Sequence, residues 1–138
     1  MYQRSPDGPS AIVVGVDGSD PAWRAAAYAA GLAGRQGARL VLVHVQTTSP
    51  LASAFGPFAA DAAARAAQEV ERQVREGAER WEFYVISGGV SGGLVTMATD
   101  LRADAVVVGA CHNPFHRVLG SPATRLVKRG RWPVIVVP

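Results

Sequence analysis

The chain is poor in cysteine, in aromatic residues, in long apolar runs and, toward its end, in acidic residues. Its single cysteine, Cys111, rules out an internal disulfide, so nothing in cysteine usage points to export. No segment approaches the roughly 18 consecutive apolar residues that span a bilayer, and no membrane association is expected. Residues 1–10 carry Arg4 without an apolar stretch behind it, and Ala11–Val16 is too short before Asp17 to serve as a signal core. No signal peptide is read, and a cytoplasmic location is expected. Aromatics make up 7% of the chain and do not interleave with its basic residues, so nucleic acid is not an expected partner. No acidic residue follows Asp104, whereas Arg117, Arg125, Lys128, Arg129 and Arg131 all do. Such an imbalance suits cations near a helix C-terminus, or a field that draws in a polyphosphate.

With 138 residues, 49% of them hydrophobic and 18% charged, the sequence is that of one globular domain, residues 11–138, behind a polar tail, residues 1–10. Short apolar runs at Ala11–Val16, Arg39–Val45, Trp81–Ile86, Ala105–Val108 and Pro133–Val137 read as buried strands. Between them fall helical patterns. Ser19-Asp20-Pro21 caps the first, which runs to about Gln36 and closes at Gly37. The second, Ala59–Arg80, has Ala63, Ala66, Val70, Val74 and Ala78 on one face, with Glu71–Arg75 and Glu76–Arg80 as i,i+4 pairs. Leu94, Ala98 and Leu101 mark a short third helix after a glycine-rich turn at Ser87–Gly93, and Pro122 to Arg129 forms the fourth, with Ser121 as N-cap. Residues 46–58 read as a long loop and a candidate lid. Alternation of this kind predicts an α/β fold, an open five-stranded parallel sheet with helices on both faces.

Ligands of such sheets bind beyond the carboxyl ends of the strands, where strand order reverses. Asp17 ends the first strand and Gly109 the fourth, the glycine being read as a turn residue suited to positive φ. If those strands are neighbours, both residues line one crevice. Gly120-Ser121 then opens a helix toward the same place, the arrangement from which phosphate sites are built. Asp17 also has the ordinary duty of capping loop amides. His44, inside an apolar strand, reads as a satisfied core or interface histidine. Cys111, His112 and His116 lack an orienting third group for catalysis and a fourth ligand for a closed zinc site, so no catalytic or metal residue is assigned. The tryptophans Trp23, Trp81 and Trp132 read as packing or interface residues.

Taken in order, Ile12-Val13-Val14-Gly15-Val16-Asp17-Gly18-Ser19, Leu42-Val43-His44-Val45, Ala103-Asp104-Ala105-Val106-Val107-Val108-Gly109, Gly120-Ser121 and Pro133-Val134-Ile135-Val136-Val137 resemble the universal stress protein family from residue 11 onward. The resemblance implies a Rossmann-type fold of the adenine-nucleotide alpha hydrolase kind, usually a homodimer, acting in stress survival or signalling, with ATP bound in one branch. In that branch a Gly-x-x-Gly motif, a spacer and Gly-Ser or Gly-Thr hold phosphates and ribose, while residues ending the first and second strands frame the adenosine. Asp17, Val45, Gly109, Gly120 and Ser121 match those positions. Two departures stand out. His112 replaces the second glycine, and the stretch from Gly109 to Gly120 is two residues shorter than the pattern. His112, His116 and Arg117 offer side-chain contacts to phosphate in compensation.

Three functions follow as expectations. The leading one is a stress-response regulator with an adenine-nucleotide pocket for ATP and, when ATP is bound, magnesium. The second is a dimeric interaction module of the same family without nucleotide. The third is a slow nucleotide phosphohydrolase, slow because no base, no arginine finger and no dedicated magnesium ligand beyond Ser121 and Asp17 is in place. A homodimer through residues 132–138 is expected in each case, since an uncharged apolar edge strand invites pairing.

Overall fold

The computed structural model describes residues 10–47, 57–77, 81–110 and 122–138. In chain order these form β1 (Ala11–Gly15), α1 (Asp20–Gln36), β2 (Arg39–Thr47), α2 (Pro57–Gly77), β3 (Trp81–Gly88), α3 (Val90–Asp100), β4 (Ala105–Gly109), α4 (Pro122–Arg129) and β5 (Val134–Val137). The strands make one five-stranded sheet in the order β3-β2-β1-β4-β5. Every pairing is parallel, with Val13 between Val41 and Val106 at its centre. The α/β architecture expected of the sequence is therefore the one observed.

Alternation along the strands divides the core between two faces. Ile12, Val14, Leu40 and Leu42 meet Ala25, Ala26 and Ala29 of α1 and Val70 and Val74 of α2. On the opposite face Val13, Val41, Val43 and Val106 meet Leu94 and Ala98 of α3 and Leu126 of α4. The alanines of α1 let that helix approach the sheet closely. Its ends follow local chemistry: Ser19 accepts from Ala22 N at the N-cap, and Gly37, at φ 63, closes it in the left-handed conformation. Trp23 and Trp81 pack on the first face and Trp132 on the second.

Three local readings change. In α2 the buried stripe is Ala67, Val70 and Val74, and Ala66 is exposed; Ala67, one i,i+3 step before Val70, takes the inner place. The Glu71–Arg75 pair forms at 2.8 Å, while the side chains of Ala63, Glu76, Ala78 and Arg80 lie outside the description. The glycine-rich segment is not one turn. β3 continues to Gly88, Gly89 is the N-cap of α3, and Gly92 and Gly93 are helical. A Cβ on Gly93 would stand 2.8 Å from Ile86 Cδ1 and 2.9 Å from Val45 Cγ2, so this glycine seats α3 against β2 and β3. Finally, β2 reaches Thr47 and α2 begins at Pro57, so of the candidate lid only residues 48–56 remain, outside the described residues.

Across the β2–β3 edge, Arg39 holds Glu82 by two hydrogen bonds of 2.7 and 2.5 Å. The Arg39 hydrogen bond, aided by its charge and opposed by partial burial, keeps the Glu82 carboxyl below its usual range. A carboxyl with a depressed folded pKa contributes stability above its unfolded pKa, about 4.3, and loses it as pH falls through the folded value. With both side chains 36% exposed, the contribution is at most about 1 kcal/mol. Glu82→Gln should therefore lower stability slightly at neutral pH and flatten the acid limb of a melting-temperature series below roughly pH 4. An acid limb identical to that of the unaltered chain would count against it.

Candidate functional site

Strand order reverses between β1 and β4, whose adjacent carboxyl ends open a crevice of about 390 Å³. Its size falls within the range of small-molecule sites. Val43, Val45, Leu94 and Val108 supply apolar lining. Asp17, Ser19, Pro21 and Ala22 border it from the β1–α1 junction, Gly109 and Ala110 from the end of β4, and Pro122 and Ala123 from the start of α4. Asp17, Val45 and Gly109 thus meet in one place, Asp17 two residues beyond β1, Val45 two residues before the end of β2 and Gly109 at the end of β4.

The β1–α1 junction is fixed by a short relay. Asp17 Oδ1 accepts from Ser19 N at 2.9 Å and from Ser19 Oγ at 2.5 Å. Ser19 Oγ in turn accepts from Ala22 N at 3.3 Å. A hydroxyl can donate once and accept as well, so one serine couples the carboxylate to the first turn of the helix. Gly18, at φ 87, makes the turn between them. The capping duty of Asp17 is therefore real, and both of these contacts fall on Oδ1. Its negative charge also stands favourably near the amino end of α1.

Gly109 serves a purpose other than the expected one. It ends β4 and is not among the residues with positive φ. A Cβ there would lie 2.6 Å from Ala22 N and from Pro21 C, so the absent side chain admits the first turn of α1 to the strand end. The glycine is required by close approach rather than by a left-handed turn.

His44 is the one buried polar or charged side chain among the described residues, and its Nδ1 lies 2.8 Å from the Val16 carbonyl oxygen. A carbonyl can only accept, so Nδ1 carries the proton and donates. The histidine is a satisfied core residue that ties β2 to the end of β1, one residue before Asp17. His44→Leu leaves the Val16 carbonyl without this donor and should cost about 1–3 kcal/mol in urea unfolding. Unchanged stability would show that another group replaces the histidine.

His112, His116, Arg117, Gly120 and Ser121, together with Cys111, lie outside the described residues. The residues that sequence reading did not assign to the crevice are chiefly apolar: Val43, Val90, Leu94 and Val136. Periodicity marked Leu94 as inward-facing but could not tell a core neighbour from a crevice wall. Among the described residues no group of His, Cys, Asp and Glu is arranged to hold a metal, and no helix is long and apolar enough to cross a membrane.

The sequence from residue 10 to 138 matches the family model described as the universal stress protein family. The chain belongs to that family. A universal stress protein of Thermus aquaticus is 31% identical over 137 residues, covering 91% of this chain and 96% of the relative. A universal stress protein solved in complex with cAMP is 29% identical, with a TM-score of 0.65 over 94% of this chain and 96% of that one. One from Archaeoglobus fulgidus, solved in complex with dAMP, is 25% identical, with a TM-score of 0.60 over 94% of this chain and 98% of that one.

Proposed function

We propose that this universal stress protein is a regulatory protein that binds an adenine nucleotide, ATP with magnesium in the first instance, in the crevice between β1 and β4. The observation that carries the reading is the convergence of Asp17, Val45 and Gly109 on one largely apolar crevice at the strand-order switch. Apolar walls suit the faces of a purine, and a carboxylate at the rim suits ribose hydroxyls. The start of α4 borders the same space, and a helix N-terminus favours phosphate, although Pro122 contributes no N–H there. The resemblance assigns Gly120 and Ser121 to the phosphates, with His112, His116 and Arg117 in reach by sequence. Relatives solved with cAMP and dAMP support the nucleotide class.

Isothermal titration with ATP and magnesium tests this, beside Gly120→Val and Ser121→Ala variants. Micromolar binding that is lost in Gly120→Val is the expected result. Absence of heat at millimolar ATP, AMP and cAMP would leave the interaction-module reading. That second reading draws on β5, an edge strand made of four apolar residues, Val134–Val137. We infer a homodimer through residues 132–138 for either case, because an exposed apolar edge is stabilised by a second copy. A monomer by light scattering at micromolar concentration would refute it. Slow hydrolysis, if measured, should fall in Asp17→Asn; turnover indifferent to that change would be a contaminant's.

A further inference from the structure

The sheet ends in two edge strands, and β3 is the longer, with eight residues against four in β5. It pairs with β2 without a bulge, through successive partners from Leu40 and Trp81 to Thr47 and Gly88. Among the described residues no backbone hydrogen bond reaches its outer side. Natural edges are blunted by brevity, proline, lysine or a bulge. β3, with the sequence WEFYVISG, has none of these. Its one charge, Glu82, is held by Arg39 and accepts from Tyr84 Oη at 3.2 Å, so it is no bare carboxylate repelling a neighbour. Tyr84 and Val85 are 40% and 42% exposed, although they stand between Phe83 and Ile86, which both pack against the core. A row of backbone donors and acceptors is met by another extended strand. The order of side chains selects which strand. Alternation puts Trp81, Phe83 and Val85 on the face of α1 and α2, and Glu82, Tyr84 and Ile86 on the face of α3 and α4.

We propose that β3 pairs antiparallel with β3 of a second copy of this chain, about a two-fold axis through Phe83. In that register Phe83 meets its counterpart and Val85 meets Trp81 on one face, aromatic and β-branched pairs of the kind that stabilise a ladder. On the other face Glu82 meets Tyr84 twice, by symmetry, so the hydroxyl-to-carboxylate contact made within each chain is offered again across the axis. No like charges are opposed. An axis one residue earlier would set Glu82 against Glu82, which repulsion disfavours. One residue later, Glu82 would face Ile86 and its polar partner would be lost. The edge lies at the opposite side of the sheet from residues 132–138. The proposal therefore stands whether or not β5 pairs, and whether or not a nucleotide occupies the crevice.

Amide hydrogen exchange of the full chain at about 2 and about 200 µM tests this. Over Trp81–Gly88 exchange should be about fivefold slower at the higher concentration, as mass action fills the edge. Val85→Lys and Val85→Glu should both abolish that dependence, since each sets a charge against Trp81 of the second copy. Val85 is part-exposed in the single chain, so neither variant should lower the melting temperature by more than about 2 °C. Exchange over β3 that is equal at the two concentrations, whether fast or already protected, would overturn the proposal. So would a dependence that both variants leave unaltered, or one confined to Val134–Val137, which would assign the association to β5.

Discussion

Gly109→Ala should lower the stability of the fold by about 3 kcal/mol, a fall in melting temperature of roughly 10 °C. The added methyl would stand 2.6 Å from two backbone atoms of α1 and 2.8 Å from a third, Pro21 O. Backbone cannot rotate aside as a side chain can, so either the strand end or the first turn of the helix must move. Either movement disturbs the Asp17–Ser19–Ala22 relay and narrows the crevice, so ligand affinity should fall with stability. Gly15→Ala is the comparison. Its Cβ would meet the methyl carbons of Leu94 at 3.1 and 3.3 Å, which a rotamer change relieves, and its cost should stay below about 1 kcal/mol. Thermal melts of the two variants decide the matter: equal effects would mean that α1 does not rest on β4 as closely as the structure has it.

Leu94→Ala should cost about 3 kcal/mol, within the usual range for a fully buried leucine. Leu94 is 0% exposed and is the largest side chain of α3 in the core formed with Val13, Val43 and Val106. It also lines the crevice, so its loss removes packing and deepens the cavity together. Leu126→Ala separates the two effects. Leu126 is likewise 0% exposed and belongs to the same core face, but it does not line the crevice. Urea unfolding should report similar losses for both variants. Titration of an adenine nucleotide should weaken by about tenfold only in Leu94→Ala, since only there does the truncation remove support from directly behind the crevice wall. Equal affinities in the two variants would remove Leu94 from the site.

The elements were legible because their signals are local. β-branched runs bounded by glycine or aspartate gave the strands, and Ser19 with Gly37 gave the two ends of α1. Failures came where a local pattern was ambiguous. Four glycines between Ser87 and Gly93 look like a turn, since glycine is the weakest helix former after proline. Two of them are helical; at Gly93 the neighbouring strands leave no room for a side chain, whereas Gly92 has open space around it. Ala66 and Ala67 are chemically identical, so only the seating of α2 on the sheet chose between them.

The sequence by itself determined the class of the fold, the five strands, the ends of α1 and the expectation that Asp17 and Gly109 would share a crevice. Each of these depends on residues adjacent in the chain or on rules that hold for every parallel sheet. Only the tertiary structure decided that β1 and β4 are neighbours, that Gly109 is needed for the approach of α1, and that Leu94 faces both core and crevice. It alone brought Arg125, Lys128 and Arg129 of α4 beside Ser91, Gly92 and Val95 of α3, thirty or more residues earlier in the chain. Contacts between distant segments arise from packing against a common sheet, and no single segment carries that arrangement in its own composition.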